Sequence, residues 1–404
     1  MKKNSFIRLC LLALIFGMVA LFSACKKNND SGAAPVITGV RLYKPSPGDT
    51  ALKSVQPQGQ YVVLEGHHLK NAVLITFDGV KVPFNIALFS DTSAVVQIPS
   101  IIPYDNVSAS DLNTIKYFTT NGSTTFNYNI IIPPPVITGI SNEDASVGDS
   151  VKIYGANFFL IKSLTYAGLP IPVTGYSHSG DGTVISLAVP SGIPQTGGIV
   201  SVTTKSGVAS TVYNVEDFVD GVFQNWDNVN GYPWGCGSSN SSADYPGNAN
   251  WYGVFSTSDM AAHDGSWWAH PGVNMGGNQW VPASDISNSP ANYAVKFEIS
   301  VPASTPWTNG SIFVAVNYSF NYIALYRPWK SSGSFTTNGW QTVTIPLSTF
   351  KPNNGTGDPS VASITALVGA SGNNGMNIWF MNDGDTPVTS FKAAIDNIRV
   401  VKIK

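Results

Sequence analysis

Charge is scarce in this sequence. Asp, Glu, Lys and Arg together make up 11% of its 404 residues, and the net charge is −2. Such a balance gives no electrostatic reason to expect nucleic acid or an anionic membrane as a partner. Cysteine is scarcer still. Of the three, Cys10 lies in an N-terminal apolar run and Cys25 just beyond it. Only Cys236 is left for the folded part, so no intrachain disulfide is available. No His neighbours Cys236 in sequence, and it reads as a passive thiol. Glutamate occurs at four positions, Glu65, Glu143, Glu216 and Glu298. Glu298 alternates against the apolar residues of Ala294–Ile299 and is expected to face solvent. No pairing of carboxylates emerges of the kind that hydrolysis of a glycosidic bond requires. Gly-x-Ser-x-Gly, P-loop and His-Glu-x-x-His patterns are missing. His67 and His68 are adjacent, and His263 and His270 are seven apart; neither spacing is a zinc site. Asp383-Gly384-Asp385 with Asp396 reads as a turn, the other reading being oxygen ligands for a structural Ca²⁺. The expectation is a non-enzyme without a cofactor. Nothing resembles a long amphipathic helix.

What the sequence does contain is β structure and turns. It has 38 Gly and 26 Pro, and 11% of its residues are aromatic. This is the composition of an all-β, turn-rich secreted protein. The first residues form a leader: Lys2 and Lys3, then an apolar run from Ile7 to Phe22, short for a membrane span. Leu21-Phe22-Ser23-Ala24-Cys25 resembles a bacterial lipobox, with residues 1–24 removed and Cys25 lipidated. The other reading is ordinary secretion with cleavage after Ala24. Residues 25–33 are a polar tether.

An internal repeat follows. Pro35-Val36-Ile37-Thr38-Gly39-Val40 recurs as Pro135-Val136-Ile137-Thr138-Gly139-Ile140. Val62-Val63-Leu64-Glu65-Gly66-x-x-Leu69 answers Val151-Lys152-Ile153-Tyr154-Gly155-x-x-Phe158, and Ile98-Pro99-Ser100 answers Val189-Pro190-Ser191. Two copies of short strands broken by Gly and Pro turns suggest immunoglobulin-like sandwiches at 34–133 and 134–215. They resemble the IPT/TIG family of Ig-like domains.

All ten tryptophans lie at or beyond position 226. Residues 216–404 alternate strand-like runs with Asn, Gly and Ser loops, as expected for a jelly-roll-like β-sandwich. The strand-like runs include Ser363–Val368. Trp340, Trp379 and Trp226 read as core, and Trp251, Trp307 and Trp329 receive no assignment. Trp234, the adjacent pair Trp267 and Trp268, and Trp280 fall in Gly- and Asn-rich loops, where large apolar side chains mark a binding surface. The apolar face of a pyranose lies flat on an indole while its hydroxyls bond to nearby amides. These four tryptophans are therefore the candidate glycan-binding residues.

Taken together, a lipoprotein-like leader, tandem Ig-like repeats joined by Pro133-Pro134-Pro135 and a Trp-rich sandwich ending Ile395-Asp396-Asn397-Ile398-Arg399-Val400 resemble the surface glycan-binding proteins of Bacteroidetes polysaccharide-utilisation loci. The similarity is to the xyloglucan-binding type, which has three Ig-like repeats where this sequence has two. The resemblance implies a flat aromatic platform, with Trp234 as its early aromatic and Trp267-Trp268 as its adjacent pair. It also implies a lipid-anchored position on the outer membrane at the cell surface. A β-linked plant polysaccharide would be the ligand, xyloglucan or a related glucan, and an outer-membrane transporter and surface glycosidases the partners. The competing expectation is an adhesive surface protein that binds other proteins through its Ig-like domains.

Overall fold

The computed structural model describes residues 32–229, 231–248, 250–317, 320–353 and 359–404. The leader, Cys25 and its lipobox lie outside them. Among the described residues no helix is long and apolar enough to cross a membrane. Two compact units divide the chain, Met1–Pro133 and Pro134–Lys404.

The first unit is an Ig-like sandwich. One four-stranded sheet runs Val36–Leu42, Tyr61–His67, Ser93–Gln97, Phe84–Phe89; the other runs Val80–Lys81, Ala72–Phe77, Thr114–Thr119, Gly122–Asn127. The second unit opens with the same strand order. Its first sheet is Val136–Ile140, Ser150–Ala156, Val184–Ala188, Tyr176–His178, and its second is Leu169–Ile171, Ile161–Tyr166, Ser201–Thr204, Val208–Ser210. The repeated residues have a steric reason. The register slips between Ile37 and Gly39, and again between Ile137 and Gly139. At each slip the opposing strand passes so close that a Cβ on Gly66 or Gly155 would sit 1.9 Å from the carbonyl oxygen of Val36 or Val136. Only glycine fits there. Thirteen residues on, Asp78-Gly79 and Ala167-Gly168 close two-residue hairpins with positive φ at both positions, as a type I′ turn demands.

The rest of the second unit is a larger sandwich, in whose numbering we label the strands β1 Val222–Gln224, β2 Tyr232–Trp234, β3 Gly237–Ser239, β4 Tyr252–Met260, β5 Gly272–Gln279, β6 Tyr293–Ser300, β7 Ser311–Val316, β8 Tyr322–Tyr326, β9 Gln341–Pro346, β10 Lys351–Pro352, β11 Asn373–Met381 and β12 Val388–Lys402. The back sheet is ordered β3-β4-β12-β6-β9, with β1 on β12; the front sheet is β2-β5-β11-β7-β8-β10. Inward residues of both sheets form one core. In it Phe380 of β11 stacks on Phe391 of β12 at 3.7 Å, and Trp307 packs edge-on against both. The run Ser363–Val368 is not a strand. Ser363 caps a single helical turn, Ile364–Val368, by accepting from the Ala366 N–H, and Gly369 ends it at φ +87°.

The outward face of the back sheet is buried by the second Ig-like sandwich. Glu298 does not face solvent: it is 1% exposed. Arg399 of β12 donates from Nη1 and Nη2 to Glu298 at 2.7 and 3.0 Å, and from Nη2 to Glu143 of the Ig-like sandwich at 2.9 Å. Lys296 Nζ donates to the other Glu143 oxygen at 2.6 Å and lies 3.5 Å from the centre of the Tyr213 ring. The Glu143 N–H donates to Thr342 Oγ1, whose hydroxyl donates on to Glu298. Burial raises the Glu298 carboxyl against the pull of Arg399, and lowers the Lys296 ammonium against the pull of Glu143. Three further carboxyls crowd the seam. Asp144 and Asp396 are pushed well above the usual range by burial, and Glu216 is pushed up by burial to about 7.

Two outcomes follow from this seam. Arg399→Ala would leave Glu143 and Glu298 buried without their cation, and should destabilise the chain by about 3–5 kcal/mol in urea unfolding. Glu216 supplies the pH dependence. Its folded form keeps a proton up to about pH 7 that the unfolded chain releases near 4.5. The stability this gives is present below pH 4.5 and lost as pH rises through 7, at most on the order of 3 kcal/mol. Glu216→Gln keeps an oxygen to accept from the Tyr166 hydroxyl and the Ala145 N–H. Relative to the native chain, its Tm should therefore rise from pH 5 to pH 8; a pH-independent difference would contradict the assignment.

Candidate functional site

The front sheet presents its other face outward, away from the seam, and its pairing fixes which residues share that face. The register aligns Trp234 (β2), Gly272 (β5), Trp379 (β11), Phe313 (β7) and Leu325 (β8) in one row. The next row, Pro233, Val273, Ile378, Val314 and Ala324, sends all but its proline into the core. The row after that, Tyr232, Asn274, Asn377, Ala315 and Ile323, faces outward again. This is the period-two alternation of a pleated sheet.

An aromatic cluster grows on the first row. Phe313 stacks on Trp379 at 5.1 Å, and both are buried although they lie outside the main core. Phe320 crosses Trp379 edge-on at 5.2 Å and approaches Trp267 at 5.7 Å. Trp234 reaches this cluster because Gly272 lacks a side chain. A Cβ there would be 2.3 Å from the Trp234 ring and 2.8 Å from the Trp379 Cβ. The ring therefore lies across the strand, its Nε1–H directed at the Trp267 carbonyl oxygen at 3.4 Å.

Trp267 and Trp268 project from a 3₁₀ turn, Trp267–Ala269, in the β4–β5 loop. Trp267 meets Trp234 at 6.0 Å and Trp268 at 5.9 Å, with interplanar angles of 82° and 86°. Trp268 is 66% exposed, whereas Trp234 and Trp267 are half-buried. Three of the four candidate tryptophans thus meet in one place. They do not form a flat platform: Trp267 stands edge-on between the other two, and Trp268 offers the open indole.

Trp280 is a correction. It is 1% exposed and packs in the core against Phe223 and Phe350, with its Nε1–H donating to the Asn374 carbonyl at 3.0 Å. The cause is a register shift between Met275 and Asn278 in β5, which re-aims the residues that follow. Trp226, Trp340 and Trp379 are buried. Trp307 joins the core, Trp329 is partly buried with its Nε1–H on the Gly310 carbonyl, and Trp251 is exposed.

The residue that sequence reasoning passed over is Tyr232, 71% exposed and two positions before Trp234 on the same edge strand. The signal was available: in a strand, residues i and i+2 share a face. Deeper in the floor, the Trp379 Nε1–H and the Asn377 Oδ1 are buried without a hydrogen-bond partner among the described residues.

Charge near the cluster is already paired. Arg327 binds Asp383, which also accepts from Ser311, and Asp264 binds His270. Asp396, grouped with Asp383 in the sequence, instead lies on β12 of the back sheet and accepts from Asn248 in the β3–β4 loop. Cys236 donates its thiol to the Gly272 carbonyl at 3.3 Å, and burial pushes that thiol up to about 11, consistent with a passive group. Clefts of about 500 and 800 Å³ border the seam, and neither is lined by Trp234, Trp267 or Trp268. The aromatic cluster is an open surface, suited to a polymer lying across it rather than an enclosed small molecule.

Comparison with known proteins bears on this face. Residues 216–402 match the family model for the surface glycan-binding protein B xyloglucan binding domain. An IPT/TIG domain-containing protein of Bacteroides ovatus is 27% identical over 158 residues, which is 39% of this chain and 32% of that protein, so the match spans about a third of the relative's length. The surface glycan-binding protein PbSGBP-B of Prevotella bryantii superposes with a TM-score of 0.64 at 22% identity, covering 92% of this chain and all of that one. An SGBP-B from a complex xyloglucan utilization locus in Bacteroides uniformis gives 0.51 at 17% identity with the same coverage. At these identities the two structures speak for the fold. The sandwich that carries the aromatic face is thus similar to the surface glycan-binding protein B xyloglucan binding domain over residues 216–402.

Proposed function

We propose that the chain captures a β-linked plant polysaccharide, xyloglucan or a related β-glucan, on the outward face of its front sheet and does not cleave it. The observation that carries this reading is Trp268, an indole 66% exposed against Trp267, which in turn meets Trp234, with Tyr232 exposed two positions before Trp234 on the sheet opposite the domain seam. The faces of such rings match the C–H faces of pyranoses. Covering ~100 Å² of one ring contributes about 2.5 kcal/mol at ~25 cal/mol per Å², before the cost of immobilising the ligand. The carboxylates do not support hydrolysis. Glu143, Glu216 and Glu298 are consumed in the seam, Asp383 is ion-paired with Arg327, and Asp264 is hydrogen-bonded to His270 and Ser266. The family description of residues 216–402 and the name of the Bacteroides uniformis protein both point to xyloglucan as the first ligand to try.

In this reading Cys25 carries the lipid that holds the chain on the outer membrane at the cell surface. Polymer held there passes to an outer-membrane transporter after cleavage by co-anchored glycosidases.

Calorimetry of the purified chain against xyloglucan, mixed-linkage β-glucan, mannan and xylan tests the proposal. At least one should bind. Trp267→Ala with Trp268→Ala should lower that affinity by at least about a hundredfold, since two rings at ~2 kcal/mol are removed, with the Tm little changed. Trp280→Ala should instead cost about 3–5 kcal/mol of stability, as a core truncation does. Binding to none of the four polysaccharides would refute the reading, and full affinity in the double variant would place the site elsewhere.

A further inference from the structure

The turn that carries Trp267 and Trp268 is three residues long, and its preceding residue, Ser266, makes no side-chain cap. A single 3₁₀ turn in a loop is too short to hold two indoles at fixed angles by its own hydrogen bonds. The loop is fixed instead by a polar frame that glycan contact alone does not explain. Asp264 and His270 stand on either side of the turn, with His270 Nε2 3.0 Å from Asp264 Oδ2. His270 is 8% exposed, while Asp264 is only partly buried. Its Nδ1 lies 3.4 Å from Thr257 Oγ1 on β4 of the back sheet. A single tautomer serves both contacts: Nε2–H donates to Asp264 while Nδ1 accepts from the Thr257 hydroxyl.

Asp264 is held in turn. Its Oδ1 accepts from the Ser266 N–H at 2.9 Å and from the Ser266 hydroxyl. These bonds, with His270, keep its carboxyl below the usual range, so it stays ionised at any ordinary pH. Asp264 also forms a β-bridge with Asn382, a fully buried residue whose Nδ2 donates to the carbonyls of Ala261 and Thr386. The loop is thereby stitched to both sheets: to β4 through Thr257, and to the end of β11 through Asn382. No other charged side chain contacts His270 among the described residues.

Resting on the glycan-binding reading above, we propose that Asp264 and His270 are positioning residues for the glycan site: their hydrogen-bonded pair clamps the two ends of the Gly265–Ala269 turn and holds Trp267 edge-on between Trp234 and Trp268. The pair itself does not touch the ligand. It sets the angle at which Trp268 presents its face. An unclamped turn would let Trp267 leave its packed position and Trp268 sample many orientations, and re-ordering them would weaken each binding event.

The test uses the full chain with three variants of one residue. In His270→Gln the amide Nε2 occupies about the place of the imidazole Nε2 and can donate to Asp264. The shorter His270→Asn cannot reach, and His270→Ala removes the bond. Two readouts are taken besides Tm: the circular-dichroism couplet that edge-on tryptophans about 6 Å apart produce, and affinity for xyloglucan. His270→Ala and His270→Asn should lose most of the couplet and at least tenfold in affinity, while His270→Gln restores both. Asp264→Ala should match His270→Ala. An unchanged couplet in His270→Ala overturns the clamp, as does equal loss in the Gln and Ala variants, which would mark a general packing role. The couplet needs no ligand, so it decides the clamp even if the chain binds no polysaccharide at all, an outcome that would sink the functional reading alone.

Discussion

Arg399 is the residue on which the architecture of the second unit turns. It is a guanidinium buried at a domain seam, bonded to Glu298 on its own sheet and to Glu143 on the neighbouring sandwich. An isolated charge could not be buried there, and neither could either carboxylate. The network is tolerable only with every member in place. It therefore commits the outward face of the back sheet to the second Ig-like sandwich. That sandwich is less a loose spacer than part of the same folded body. With the back sheet covered, the front sheet is the broad face of the terminal sandwich left open, and the exposed aromatics collect there.

The front face is shaped by alternation and by one glycine. Val273, Ile378 and Val314 are spent on the core, which frees Trp379 and Phe313 one position away to build a second, smaller apolar cluster outside it. Gly272 lets Trp234 lie across the sheet onto that cluster. Trp267 caps the cluster, and Trp268 stands clear of it. Trp234, Trp267 and Trp268 meet edge to face, the arrangement that the ring quadrupoles favour. The arrangement offers one broad indole face, with Tyr232 and the edge of Trp234 beside it, rather than three parallel stacking positions. Burial of one such face gives only a few kcal/mol, which suits a reversible hold on a polymer with many equivalent sites.

Much of this was legible in the residues. The repeated Pro-x-Ile-Thr-Gly and Gly-x-x-Leu/Phe steps encode a register slip and the glycine that accommodates it, which is why they survive as matching strings in two sandwiches. The loop position of Trp267 and Trp268 marked the cluster, whereas Trp234, also expected in a loop, sits on edge strand β2. The misreadings share a cause, since each depended on something beyond local sequence. Trp280 follows a Gly-Gly-Asn stretch that looks like a surface loop, but the slip in β5 turns its ring inward. Glu298 does point away from its own core, and meets another domain there instead of water. Ser363–Val368 is apolar enough for a strand, and only the Ser363 cap and Gly369 stop reveal a helical turn. Asp264 and His270 flank Trp267-Trp268 in the sequence, but nothing in the sequence shows that their side chains meet across that turn.

The central claim is that ligand is held on the front sheet, at a face fixed by the tryptophans of one loop and one edge strand. A crystal structure of the chain with a xyloglucan or mixed-linkage glucan oligosaccharide tests this most directly. The account predicts a sugar ring stacked on Trp268, with the chain of sugars running past Trp234 and Tyr232. An oligosaccharide seated instead in the cleft between Tyr154 and Trp340 at the domain seam, or on the first Ig-like sandwich, would contradict it.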